Sequence, residues 1–162
     1  MNLLPEQVAN RHPTNWEAKT IKERIERGNL DDSPVYQRSF IKEFDPKFKN
    51  RLIESILCDC PIPGLYFCAT GKNQWDVLDG QQRVKTVVKF MQGDWELNTS
   101  HFDKEKWSAT AIKAMNKARF ADLDTDLQLV IESSVSVLKF LRKPKNGLPG
   151  TFIVASMPVV AT

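Results

Sequence analysis

The stretch Val77-Leu78-Asp79-Gly80-Gln81-Gln82-Arg83-Val84-Lys85-Thr86 passes from a strand to a helix across a single glycine. Its first half continues Gln74-Trp75-Asp76, and the run Gln74 to Leu78 reads as a strand. Beyond it Val84, Val87, Val88 and Met91 recur at helical spacing, and Gly93-Asp94 closes the helix. Working upstream, Gly64 to Ala69 reads as the partner strand, joined through the hairpin turn Thr70-Gly71-Lys72-Asn73. Before that strand a helix is signalled by Asp45 as N-cap and Pro46 at the first helical position, where a missing N–H costs nothing. Phe48, Leu52, Ile53, Ile56 and Leu57 form its apolar face, and Pro61-Ile62-Pro63 ends it.

The outer segments are read the same way. Asn15 is the expected N-cap of a helix over Trp16 to Arg27, with Ile21 and Ile25 on one side and Gly28 at its C-cap. Asn29 to Pro34 is a turn, and Val35 to Phe40 a short extended stretch. Downstream, helices are expected near Lys104 to Lys117 and Asp122 to Glu132, and the alternation in Ser134 to Phe140 predicts a strand.

Strands and helices in this order predict an α+β (mixed α/β) fold: a small sheet packed by four to five helices. At 162 residues the chain has the length of one domain. It divides into a flexible segment over 1–14, a folded domain over 15–142 and a tail over 143–162 that is uncharged after Lys145. No charged residue follows Lys145, and Phe152-Ile153-Val154-Ala155 is β-prone, so the tail is either a final strand or the mark of a truncation.

Composition narrows the function. Hydrophobic residues make up 41% and charged residues 27%, which excludes a disordered or collagen-like chain. No apolar run reaches the roughly 18 residues of a membrane span. The start of the chain has no secretory-signal pattern, so a cytoplasmic location is expected. A net charge of +3 permits nucleic-acid contact without demanding it. Cys58, Cys60 and Cys68 are odd in number, and Cys58-x-Cys60 is too closely spaced for a usual zinc pair. They read as small apolar fillers, and no metal held by protein side chains is expected.

Chemistry concentrates at Asp79 to Arg83. A helix that starts directly after a strand points its first N–H groups, and the positive end of its dipole, into the crevice at the strand's end. Gly80 permits close approach of a phosphate, Arg83 supplies a fork of donors, Gln81 and Gln82 can hydrogen-bond a base, ribose or water, and Thr86 adds a hydroxyl. A structural reading competes: Asp79 caps the helix, Gln82 completes a capping box, and Arg83 is a solvated side chain. The two conflict, because a capping carboxylate occupies the N–H groups that a phosphate needs. A second constellation, Pro34-Val35-Tyr36-Gln37-Arg38, offers either another cation beside the same crevice or a surface Arg beside a core Tyr.

Taken together, Pro34-x-Tyr36-Gln37-Arg38, the helix Leu52-Ile53-Glu54-Ser55-Ile56-Leu57, Pro61-Ile62-Pro63 and Val77-Leu78-Asp79-Gly80-Gln81-Gln82-Arg83-x-x-Thr86 resemble one family. It is the N-terminal domain of GmrSD-type modification-dependent restriction systems, a branch of the ParB/sulfiredoxin-like superfamily. The resemblance runs from about Thr20 to Phe90 and more loosely to about Phe140. It implies a ParB-like sheet and a sensor domain of phage defence that binds and hydrolyses a nucleoside triphosphate with Mg²⁺. By the same resemblance Asp79, Gln82 and Arg83 are the catalytic candidates, and Gln37, Arg38, Gly80, Gln81, Arg83 and Thr86 the phosphate-side ones. It further implies DNA, and a nuclease domain or subunit on another chain, as partners; a homo-oligomer is a further expectation, and no membrane is expected. Gln81 stands where sulfiredoxin-type members carry a reactive cysteine, so reductase chemistry is not expected. With only His12 and His101, neither in a nuclease motif, no nuclease site is expected in this chain. The alternative is a shortened, non-catalytic module that binds DNA or a partner protein. Lys85, Lys89, Lys104, Lys106, Lys113 and Lys117 are expected to form a solvated basic face, and Trp75, Trp95 and Trp107 to be core or rim aromatics.

Overall fold

The computed structural model describes residues 15–34 and 45–142, with 135–142 described through their backbone. Strand β1 (Asn15–Glu17) leads into helix α1 (Ala18–Glu26), followed by β2 (Leu30–Asp31). Helix α2 spans Pro46–Leu57, and the hairpin β3 (Leu65–Gly71) and β4 (Gln74–Asp79) feeds α3 (Gln81–Met91). Then come 3₁₀ turns at Thr99–His101 and Phe120–Asp122, helices α4 (Ala109–Met115) and α5 (Thr125–Glu132), and strand β5 (Val135–Arg142). The sheet has the order β1-β5-β3-β4-β2. It is mixed: β3 runs antiparallel to β4 and parallel to β5, and β2 runs parallel to β4. The fold is therefore the small α+β architecture that the sequence predicts.

Local chemistry explains the central elements. Gly71 pairs with Gln74, so the hairpin closes through Lys72-Asn73, with Asn73 at φ +55°, a conformation asparagine tolerates. The Asp45 side chain accepts from the Lys47 N–H at 3.1 Å, and Pro46 opens α2. Phe48, however, is exposed rather than part of the apolar face, because that face is centred on Ile53 and Ile56.

Helix α3 holds the two halves of the core together. Val84 and Val88 pack with Leu65, Phe67, Val77 and Trp16 against the sheet. Phe90 and Met91 pack with Ile53, Leu97, Phe102, Met115 and Ile131 in the helical half. Full burial of Phe67 and Phe90 contributes roughly 1.5–3 kcal/mol each.

Several boundaries differ from expectation. Asn15 is not a helix cap: it pairs with Val137 in β1, and α1 starts three residues later behind extended Glu17. Trp16 is held in that strand by a ring contact to Phe67 at 5.6 Å and another to Trp75 at 5.3 Å. The helix expected over Lys104 to Lys117 is α only over Ala109–Met115, capped by the Ser108 hydroxyl at the Ala111 N–H. Asp103 holds the residues before it in a turn by accepting from the Glu105 N–H at 3.0 Å. The last helix begins at Thr125, because Phe120–Asp122 forms a separate 3₁₀ turn closed by Arg119 and Asp122. The extended stretch Val35 to Phe40, the segment 1–14 and the tail 143–162 lie outside the described residues.

Among the described residues no helix is long and apolar enough to cross a membrane. Cys68 is buried, whereas Cys58 and Cys60 are half-buried at the end of α2. Burial pushes the Cys58 thiol up; Cys60, Glu54 and Asp103 add to the shift, and Lys106 opposes it. Site-resolved iodoacetamide labelling at pH 8 should therefore be slower at Cys58 in the folded chain than in urea. Equal rates would show that the helix end does not hold the thiol protonated.

Candidate functional site

The junction of β4 and α3 is built around Gly80, the N-cap of α3, at φ +88°. A Cβ added there would lie 2.3 Å from Leu65 Cδ2 and 3.1 Å from Arg83 Nη2. Both its conformation and its surroundings therefore demand glycine. The first helical bond runs from the Val84 N–H to the Gly80 carbonyl at 2.9 Å.

The choice of Gly80 as cap settles a conflict left open by the sequence. Gly80 has no side chain to offer, and α3 carries no side-chain cap bond from its N-cap. Asp79 points instead toward Arg83, 3.6 Å from Nη2, with 68% of its side chain exposed. At that exposure the ion pair contributes at most about 1 kcal/mol. Neither Gly80 nor Asp79 therefore caps the first turn of α3 with a side chain, and that turn begins at the strand's end.

Leu78, Asp79, Gly80, Gln81, Gln82 and Arg83 line a cleft of about 280 Å³ at this junction. Arg83 is only 15% exposed. Its Nη1 donates to the Pro63 carbonyl, and its Nη2 to the Gly64 carbonyl at 3.4 Å. Gln81 is turned inward, its Nε2 donating to the Val77 carbonyl at 2.8 Å, so only its backbone can serve the cleft. Thr86 is buried one turn along α3 and does not line the cleft. Gln82 lines it and is half-buried. The structure therefore gathers Asp79, Gly80, Gln81, Gln82 and Arg83 and sets Thr86 apart. Gln37 and Arg38 lie outside the described residues.

Basic and aromatic candidates fall elsewhere. Lys89, Lys104, Lys106, Lys113 and Lys117 are exposed, and Lys85 is half-buried. The tryptophans serve packing: Trp95 Nε1 donates to the Thr86 carbonyl, Trp107 Nε1 to Glu54, and Trp75 packs edge-on to Trp16. Among the described residues no group of three or more His, Cys, Asp or Glu converges as a metal site.

Two polar devices, one half-buried and one buried, escaped the sequence reading. The Arg24 guanidinium sits 4.1 Å from the Trp16 ring centroid and 4.9 Å from that of Trp75. Glu54, 3% exposed, accepts from the Asp103 N–H at 2.7 Å and from Trp107 Nε1 at 3.0 Å. A charged residue among the apolar positions of α2 was the one available signal for Glu54.

Residues 19–147 match the family model of the GmrSD restriction endonuclease N-terminal domain. No curated protein and no solved structure matches the chain.

Proposed function

Since the chain belongs to the family of the GmrSD restriction endonuclease N-terminal domain, a component of restriction systems, we propose that it is the domain that binds and hydrolyses a nucleoside triphosphate to control cleavage of modified DNA. The observation that carries this reading is the glycine-capped start of α3, opening on a cleft that Arg83 and Asp79 both line. A carboxylate at the cap would repel an anion; a glycine cap brings none, so the positive end of the helix dipole faces the cleft.

In this reading the backbone of Gly80, Gln81 and Gln82 takes the terminal phosphates, and Arg83 offsets the charge that develops on them. Gln82 lines the same cleft, and its part in this reading is to orient the attacking water. A Mg²⁺ ion fits the donor set only as a partner of the phosphates: among the described lining residues Asp79 is the one carboxylate, and it would add a single ligand. When bound, Mg²⁺ would neutralise phosphate charge, which lowers the cost of bringing a triphosphate beside Asp79. DNA and a nuclease on another domain or chain are the partners this role requires. The exposed lysines of the α4 region are the surface offered to DNA.

The test is calorimetric binding of ATP, GTP and CTP with Mg²⁺, alongside phosphate release with and without DNA. One of them should bind the wild-type chain. Arg83→Ala should weaken that binding by about 10- to 100-fold, the worth of a charge-assisted bond of roughly 1.5–3 kcal/mol. Absence of binding to the folded wild-type chain would remove the proposal. Binding without phosphate release would limit the domain to sensing.

A further inference from the structure

Arg83 belongs to two cavities at once. It lines the polar cleft at Asp79–Arg83, and it also lines an apolar crevice of about 60 Å³ with Ile62, Pro63, Leu65, Val84 and Val87. No other described residue is shared between the two linings. The Pro61-Ile62-Pro63-Gly64 segment between α2 and β3 is held over this crevice by the bonds from Arg83 to the Pro63 and Gly64 carbonyls. We propose that Arg83 is a latch: anion binding in the cleft draws its guanidinium off these carbonyls, releases the 61–64 segment and opens the apolar crevice. The inference rests on the triphosphate reading of the cleft and adds its means of reporting occupancy.

The energetics favour the exchange. Arg83 now donates to two neutral carbonyls, while a phosphate offers charged acceptors that form bonds roughly twice as strong. The abandoned carbonyls are not stranded. Pro63 is exposed and Gly64 half-buried, so water replaces Arg83 at little cost. Asp79 biases the same movement. In the free chain it lies within 3.6 Å of Nη2 and holds the guanidinium at the cleft's edge, poised between the two cavities. The released segment carries two prolines, so it has few amides to rejoin a ladder, and its apolar members Ile62 and Pro63 line the crevice together with Ile21, Ile56 and Leu65. Opening therefore uncovers an apolar strip beside α1 and α2, which is a signal that another domain or chain can read.

Hydrogen exchange tests the latch. The full chain is titrated with whichever of Mg-ATP, Mg-GTP or Mg-CTP binds by calorimetry, and exchange is followed in peptides covering 61–67 and 79–84. Ligand should slow exchange at 79–84 and speed it severalfold at 61–67. Arg83→Lys keeps the charge but loses the fork, so 61–67 should exchange fast without ligand and change little on its addition. Calorimetric binding with unchanged exchange at 61–67 overturns the latch and leaves the nucleotide reading intact. Slow, wild-type-like exchange at 61–67 in folded Arg83→Lys overturns it as well. If none of the nucleotides binds, the nucleotide reading fails and the latch falls with it.

Discussion

Gly80→Ala should cost about 2–5 kcal/mol of stability and abolish measurable anion binding in the cleft. Two penalties add. A left-handed φ costs a residue with a Cβ roughly 1–2 kcal/mol. Overpacking adds about 1–3 kcal/mol, because the new methyl meets Leu65 Cδ2 at 2.3 Å in a position where Leu65 is buried against the sheet. Gly28 supplies the control. It too has a positive φ, +76°, but no atom lies within 4 Å of its Cβ position. Gly28→Ala should therefore show the backbone penalty alone. In a chain of this size the two variants should differ in Tm by roughly 2–12 °C, taking about 2–4 °C per kcal/mol. If they melt alike, Gly80 is needed only for its φ, and the packed junction is not what fixes the turn. The functional effect follows from the same geometry: the methyl lies 3.1 Å from Arg83 Nη2, so relieving the clash displaces the cation that the cleft relies on.

The centre of the chain was readable because its elements are specified locally. Asp45-Pro46, the Lys72-Asn73 turn and the valines of α3 each act over a few residues. The outer parts were not, because their partners are remote. Asn15 reads as a cap until β5 supplies Val137 opposite it, and nothing near Asn15 in sequence signals that pairing. Trp16 is held by Phe67, Trp75 and Arg24 from three different elements. In the candidate site, the cluster Asp79 to Arg83 could be located from sequence, but its orientation could not. Which residue caps α3 is decided by the left-handed turn at Gly80. Arg83 is drawn to Pro63 and Gly64, whose carbonyls sit just ahead of β3. Thr86 shares the helix with Arg83 but sits on its buried side.

Glu54 is the clearest case of a residue whose role only the tertiary structure reveals, and removing it should have the larger effect on stability. Both of its bonds to neutral donors pass through Oε1: from the Asp103 N–H at 2.7 Å and from Trp107 Nε1 at 3.0 Å. The Oε2 atom meets Arg51 Nε at 3.4 Å, and Arg51 is half exposed. Glu54→Ala leaves two part-buried donors without a partner at about 1–3 kcal/mol each and should destabilise the chain by roughly 3–5 kcal/mol. Glu54→Gln keeps an oxygen where Oε1 stands and loses chiefly the Arg51 pair, so its cost should be near 1 kcal/mol. Urea unfolding of the two variants separates the accounts: equal losses would mean that the charge, and not the acceptor, matters. A second readout ties the result to α2. The Glu54 charge helps push the Cys58 thiol up, so Glu54→Gln should speed Cys58 alkylation in the folded chain. That change should appear even though the fold is nearly as stable, because it depends on the charge, whereas the buttress between α2 and the Asp103–Trp107 turn depends on the oxygen.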